Sequence, residues 1–250
     1  MCGRGELYHL VSARRNHAVS VVVVSLTVNR FTYLGRRLSL VLTLTPLRYR
    51  RLGRLLRGPF SWLRALDVAF ALADLSGLFD LYEAVTNALF PAVRPLTKAE
   101  ITTLRPIFGD TVPYPLIRVD ERAYVGPSWA RFCYVSFHTI NSWGPMSPPT
   151  LVHEVVHVWQ YLHRGAAYIP RALYAQTTTM GYNYGGLSAL RGAARLEDFN
   201  YEQQADIIED AFRLANGWEA QWVKGRGAEV LPEYFKYLEE IRGALPPYAL

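Results

Sequence analysis

Five residues, His153-Glu154-Val155-Val156-His157, constrain this chain more than any other stretch. Val152, Val155, Val156 and Val158 are apolar, so the segment reads as a helix buried in a core. On an α-helix, residues i and i+4 share one face, about 6 Å apart along the axis. Buried imidazoles and a buried carboxylate need partners. Two arrangements meet that need. One is a satisfied pair of core histidines. The other is a zinc ion held by both rings, with Glu154 beside it. In the second, zinc lowers the pKa of its water to roughly 7, and Glu154 takes the proton and passes it to a leaving amine. The motif in this apolar setting favours the second arrangement.

The rest of the metal site must come from His and carboxylates, because the chain has two cysteines, Cys2 and Cys133. Two cysteines also give no disulfide framework. The best third ligand is Glu202, in Asn200-Tyr201-Glu202-Gln203-Gln204-Ala205-Asp206. Ala205, Ile208, Ala211, Phe212 and Ala215 make an apolar stripe, so this stretch is helical in pattern and puts Glu202 and Asp206 at i and i+4. Glu202 is then a ligand, and Asp206 accepts the other N–H of a ligand histidine. The competing reading places both acids on a solvated helix face. A rival ligand, His163, has the six-residue spacing after His157 that metzincins use, with Met180-Gly181-Tyr182 resembling their Met-turn. That arrangement needs a glycine where Gln160 stands, and a continuous helix carries His163 about 80° away from His153. His163 and Arg164 suit a helix C-terminus that Gly165 ends. Tyr182, Tyr184, Tyr201 and His163 are all candidates for stabilising an oxyanion, and the sequence does not choose among them.

The chain of 250 residues, half of them hydrophobic, can bury a substantial core. Its net charge of +6 is unevenly spread. Residues 1–64 hold twelve arginines and one acid, Glu6, whereas residues 65–250 hold fifteen basic and twenty acidic residues. Ala18 to Val28 is an apolar run after Arg14 and Arg15, too short for a membrane span of about 20 residues. It reads as a late signal-peptide core, as a strand pairing with Leu38 to Leu44, or as a segment upstream of the true start. Residues 47–66 form a basic amphipathic helix interrupted at Gly58-Pro59. Its arginines are expected in water; a membrane-surface contact is the functional alternative. Residues 66–90 continue as an apolar helix or helix pair, broken near Ser76-Gly77.

From Leu96 the pattern is that of a compact α+β domain. Thr97 and Glu100 form a capping box for a helix ending before Pro106. Strands follow at about 112–119, 122–125 and 131–138, in a small antiparallel sheet. Helices are expected at 150–163, 199–216 and 229–243. The domains expected are a basic, apolar extension over 1–93 and the metal-binding domain over 94–250.

Leu96-Thr97 with Glu100, Ile107-Phe108-Gly109-Asp110, His138-Thr139-Ile140, His153 to Gln160, Tyr168-Ile169-Pro170, Ala172 to Gln176, Gly181-Tyr182-Asn183-Tyr184 and Asn200 to Asp206 follow in order. Leu96 to about Ala215, roughly half the chain, resembles the bacterial DUF4157 domain, or extracellular contractile injection system core domain, in its Vgr-related branch. The resemblance implies a zincin-like fold, a Zn2+ ion on His153, His157 and Glu202, and Glu154 as catalytic base. It also implies the company of secretion or injection machinery.

The function expected is a zinc metallopeptidase of gluzincin type acting on a peptide or protein substrate. The alternative is a non-catalytic, zinc-stabilised accessory or cargo module of a secretion system. Nucleic acid is disfavoured as a partner, since few aromatics interleave with the arginines. The sequence carries no clean signal peptide or transmembrane segment and leaves the compartment open between the cytoplasm and export by a specialised system.

Overall fold

A computed structural model describes residues 32–89, 93–123 and 132–246. The chain divides into two compact units, Met1–Leu40 and Val41–Leu250. In the first, the described residues 32–40 are helical; everything below concerns the second. Among the described residues, no helix is long and apolar enough to cross a membrane.

Residues 41–56 are helical (α1). The strand expected over Leu38 to Leu44 is therefore helix, and the Thr45 hydroxyl donates back to the Val41 carbonyl four residues earlier. Its proposed partner, Ala18 to Val28, lies outside the described residues. The chain breaks at Gly58-Pro59 and resumes as α2, Trp62–Leu75, whose N-cap Ser61 accepts the Arg64 N–H. Helix α3, Leu78–Leu89, follows the turn at Ser76-Gly77, where Gly77 takes φ +74°.

The basic stripe is only partly solvated. Arg50, Arg54 and Arg57 are exposed. Arg48 instead turns inward and is buried, paired with Asp74 at 3.0 Å and Asp80 at 2.8 Å. It also donates to the Tyr161 hydroxyl, and Arg51 donates to the Leu162 carbonyl. The expectation of a water-facing arginine face fails there because α2 and α3 bring acids to meet it.

Strand β1, Arg94–Pro95, leads into α4, Lys98–Phe108. The Thr97–Glu100 capping box is present, with both reciprocal bonds formed. The helix runs through Pro106 rather than ending before it, since Ile107 and Phe108 are buried. Strands β2, Arg118–Asp120, β3, Tyr134–Ser136, and β4, Thr139–Asn141, complete a four-stranded sheet in the order β1-β2-β4-β3. The sheet is mixed and not the antiparallel one expected. β3 and β4 form a hairpin, and β4 lies between β3 and β2, running parallel to β2. The expected strand at 112–119 is shortened because Tyr114–Leu116 makes a 3-10 turn; Pro113 and Pro115 have no N–H for a ladder. Of the expected strand at 122–125, Arg122 forms a single bridge to Trp143, and residues 124–131 lie outside the described ones.

The hairpin turn is stabilised from outside. Phe137 sits at φ +62°, a costly conformation for a non-glycine residue. Its ring is buried against Phe79 and Tyr161. Glu83 of α3 accepts the His138 backbone N–H at 2.8 Å and the Thr139 hydroxyl at 3.0 Å.

Helix α5, Pro148–Arg164, is the centre of the core. Ser147 caps it, Pro148 and Pro149 fill its first turn, and Gly165 ends it at φ +82°. Proline costs nothing at the first turn, where its N–H would have no partner. Next come α6, Tyr168–Gln176, α7, Gly186–Gly192, and α8, Tyr201–Ala215. Helix α8 packs along α5 and is capped reciprocally by Asn200 and Gln203. The segment expected as one helix at 229–243 is a 3-10 stretch, Ala228–Tyr234, followed by α9, Phe235–Gly243. Pro232 interrupts the α-helical ladder there.

Candidate metal centre

Helix α5 carries His153 and His157 on one face, and α8 brings Glu202 to them from its first turn. His153 Nε2 lies 3.5 Å and His157 Nε2 3.4 Å from the same atom, Glu202 Oε2. One donor atom from each residue lies within 4.8 Å of the others. Distances of 3.4–3.5 Å are long for a hydrogen bond. They match the spacing of donors around one tetrahedral ion, where bonds of roughly 2.0–2.1 Å leave ligand atoms about 3.3–3.4 Å apart. The donor set of two imidazoles and one carboxylate suits zinc.

Each candidate ligand is held by its remaining polar atom. His153 Nδ1 lies 2.9 Å from Asp206 Oδ1 and 3.3 Å from Glu209 Oε2. His157 Nδ1 lies 2.8 Å from Gln160 Oε1. Gln160 is itself held by the Tyr201 carbonyl and Gln204. Glu202 Oε1 accepts from Gln176 Nε2 at 2.8 Å, and Asp206 Oδ2 accepts from the Trp222 indole at 2.5 Å. Such partners orient ring nitrogens toward a metal. All three candidate ligands are buried.

The buried groups of the cluster shift one another's protonation. Burial disfavours the charged form of His153, but its bonds to Asp206, Glu202 and Glu209 outweigh this and hold its pKa well above the usual range. Burial likewise opposes ionisation of Glu202, and His157 and His153 overcome it, holding the carboxylate well below its usual range. Glu154 goes the other way: burial raises it, opposed by His153 and His157. Its Oε2 is buried and makes no hydrogen bond among the described residues.

The site opens into a cavity of about 380 Å3. His153, Glu154, His157 and Glu202 form its polar floor; Phe132, Val135, Ile169, Leu173 and Tyr182 contribute apolar wall. Of the tyrosines considered, Tyr182 lines this cavity, and its phenol is pushed up to about 12, chiefly by burial. Tyr184 is bonded to Asp210 and Tyr234 elsewhere. His163 stacks on Trp159 and lies 3.2 Å from the Thr111 carbonyl, away from the cluster. Sequence reasoning missed Glu209, Gln176 and Trp222. Glu209 had a signal, since it lies seven residues after Glu202, on the same helix face. Trp222 had none, because it arrives from a loop.

No protein-family model matches the chain, and no solved structure matches it. Over 159 residues, 57% of the chain, it is 28% identical to the type VI secretion system spike protein VgrG2b of Pseudomonas aeruginosa. The match takes in 15% of that protein's length. The chain is therefore similar to a segment of a secretion-system protein, with a buried His/Glu/Asp cluster able to hold a metal ion.

Proposed function

We propose that this chain is a secretion-system-associated module carrying a zinc centre of hydrolytic type, and that it cleaves peptide bonds. The similarity to a spike protein supports the first part. The spacing of His153 Nε2 and His157 Nε2 around one Glu202 oxygen carries the second. In this reading the domain over 94–250 is zincin-like and of the DUF4157 type, with residues 1–93 as its extension. His153, His157 and Glu202 would hold a zinc ion, which would supply Lewis acidity when bound.

The protein's own groups supply the rest. Glu154 is buried beside both histidines and has an unpaired oxygen, so it is the group free to take a proton from the nucleophile and return it to the leaving amine. Asp206 and Glu209 hold His153 in register, and Gln160 holds His157. Tyr182 stays protonated at neutral pH and can donate to a developing oxyanion. The apolar wall of the cavity receives a substrate side chain.

The second reading, a zinc-stabilised module without catalysis, is favoured by the similarity itself, which is to a spike protein. Glu154→Gln separates them. The variant keeps zinc in both readings. Under the peptidase reading it loses at least a hundredfold in turnover of a peptide library. Zinc-replete wild type that cleaves nothing, or a variant as active as wild type, contradicts it.

A further inference from the structure

A second cavity, of about 500 Å3, lies at the C-terminal end of α5. Five arginines line it from four helices: Arg51 and Arg54 of α1, Arg64 of α2, Arg164 of α5 and Arg171 of α6. The carboxylates lining it are Asp67 and Glu197. Arg171 grips Asp67 through both oxygens, at 2.6–3.1 Å, and Arg164 pairs with Glu197. Arg51 spends one N–H on the Leu162 carbonyl. Arg54 and Arg64 have no carboxylate partner among the described residues. The Arg64 guanidinium is packed over Gly58, and its Nη1 is buried without a hydrogen bond. A Cβ at position 58 would fall on that guanidinium, so Gly58 leaves room for it.

The cavity therefore holds three positive charges in excess. His163 adds none at neutral pH: burial, with Arg51 and Arg164 nearby, pushes it down to about 4. Like charges converging on one concavity are costly unless an anion joins them. Arginine forks match phosphate oxygens in pairs, and a phosphate offers more acceptor oxygens than a carboxylate. The volume is that of a small-molecule site, and the arginines surround a hollow rather than forming a stripe along which a nucleic-acid backbone could run.

We infer that this cavity is a binding site for a small ligand carrying two or more phosphate groups, gripped by Arg54 and Arg64 with Arg51, Arg164 and Arg171 around it. The site is separate from the metal cluster, and the inference is independent of the proposed peptidase activity. The phosphates can come from a soluble polyphosphorylated molecule or from a lipid headgroup.

The test is calorimetry of the full chain with inorganic tripolyphosphate at roughly 0.15 M salt. Parallel arms use phosphatidylcholine vesicles containing a phosphatidylinositol bisphosphate, and a polyglutamate peptide. Wild type is expected to bind tripolyphosphate. Arg54→Ala/Arg64→Ala should weaken this about a hundredfold, on the order of tenfold per charged contact. Arg50→Ala/Arg57→Ala removes the same charge from exposed positions outside the cavity and should change binding less than threefold. Binding to vesicles alone, with the same arginine dependence, supports the headgroup source. Binding to neither phosphate probe, equal losses in the two variants, or equally tight binding of polyglutamate overturns the inference. Thermal unfolding of both variants in buffer checks that each is folded.

Discussion

Replacing Arg48 with Met is the sharpest probe of how α1 and α2 support helix α5, which carries His153 and His157. The Arg48 side chain is 2% exposed. Its guanidinium meets Asp74 at 3.0 Å and the Tyr161 hydroxyl at 3.0 Å, and that hydroxyl donates to the same Asp74 oxygen. This triangle joins α1 and α2 to the back of α5. Methionine fills much of the arginine's volume, so the loss is electrostatic rather than a cavity. Asp74, itself 4% exposed, keeps the Tyr161 hydrogen bond but loses its cation. Stranding one partner of a buried pair costs about 3–5 kcal/mol. For a unit of this size that lowers Tm by roughly 10 °C. Urea unfolding followed by circular dichroism reads the difference. Burial already raises the Asp74 pKa; without Arg48 the carboxyl protonates more readily still, so the penalty should shrink as pH falls from 7 to 5. Asp80, 13% exposed, loses the same cation; Arg48→Met/Asp74→Asn removes the more deeply buried of the two stranded charges and should recover at least half of the loss. A single-variant cost below about 1 kcal/mol, or one that does not change with pH, contradicts a buried pair that supports α5.

Other outcomes follow from the same geometry. Asp206→Asn replaces the carboxylate on His153 and should weaken metal affinity by roughly 10–100-fold, measured by competition with a chelating dye; Glu209→Gln should do so more weakly, because its contact is longer. His163 has a pKa depressed to about 4 in the folded chain against 6.5 when free. Its contribution to stability is therefore present above pH 6.5 and lost as pH falls toward 4, up to roughly 3 kcal/mol. His163→Gln should flatten that part of the pH–stability curve, and an unchanged curve contradicts the assignment.

Helix α5 was legible because its chemistry and its periodicity agree: five consecutive residues specify both a buried face and two histidines on one side of it. Glu202 and Asp206 were legible for the same reason, their i and i+4 spacing being set against an apolar stripe. The break at Gly58-Pro59, the turn at Ser76-Gly77 and the Thr97 cap are local, and local signals sufficed. The sheet was not legible. Its parallel pairing of β2 with β4 depends on where an intervening segment carries the chain, and β3 and β4 are three residues each, too short for a pattern. The inward turn of Arg48 was hidden too, because the sequence of a basic helix does not state that Asp74 and Asp80 will meet it. The same limit concealed the second cavity, whose arginines are spread over about 120 residues of chain and converge only on folding.

The proposed function depends on a metal ion held by His153, His157 and Glu202. Elemental analysis of the purified chain, beside its Glu202→Ala and His163→Ala variants, tests it directly. About one zinc per chain is expected in wild type, with a clear loss in Glu202→Ala and full retention in His163→Ala. No zinc in the wild type after reconstitution, or retention in Glu202→Ala with loss in His163→Ala, contradicts it.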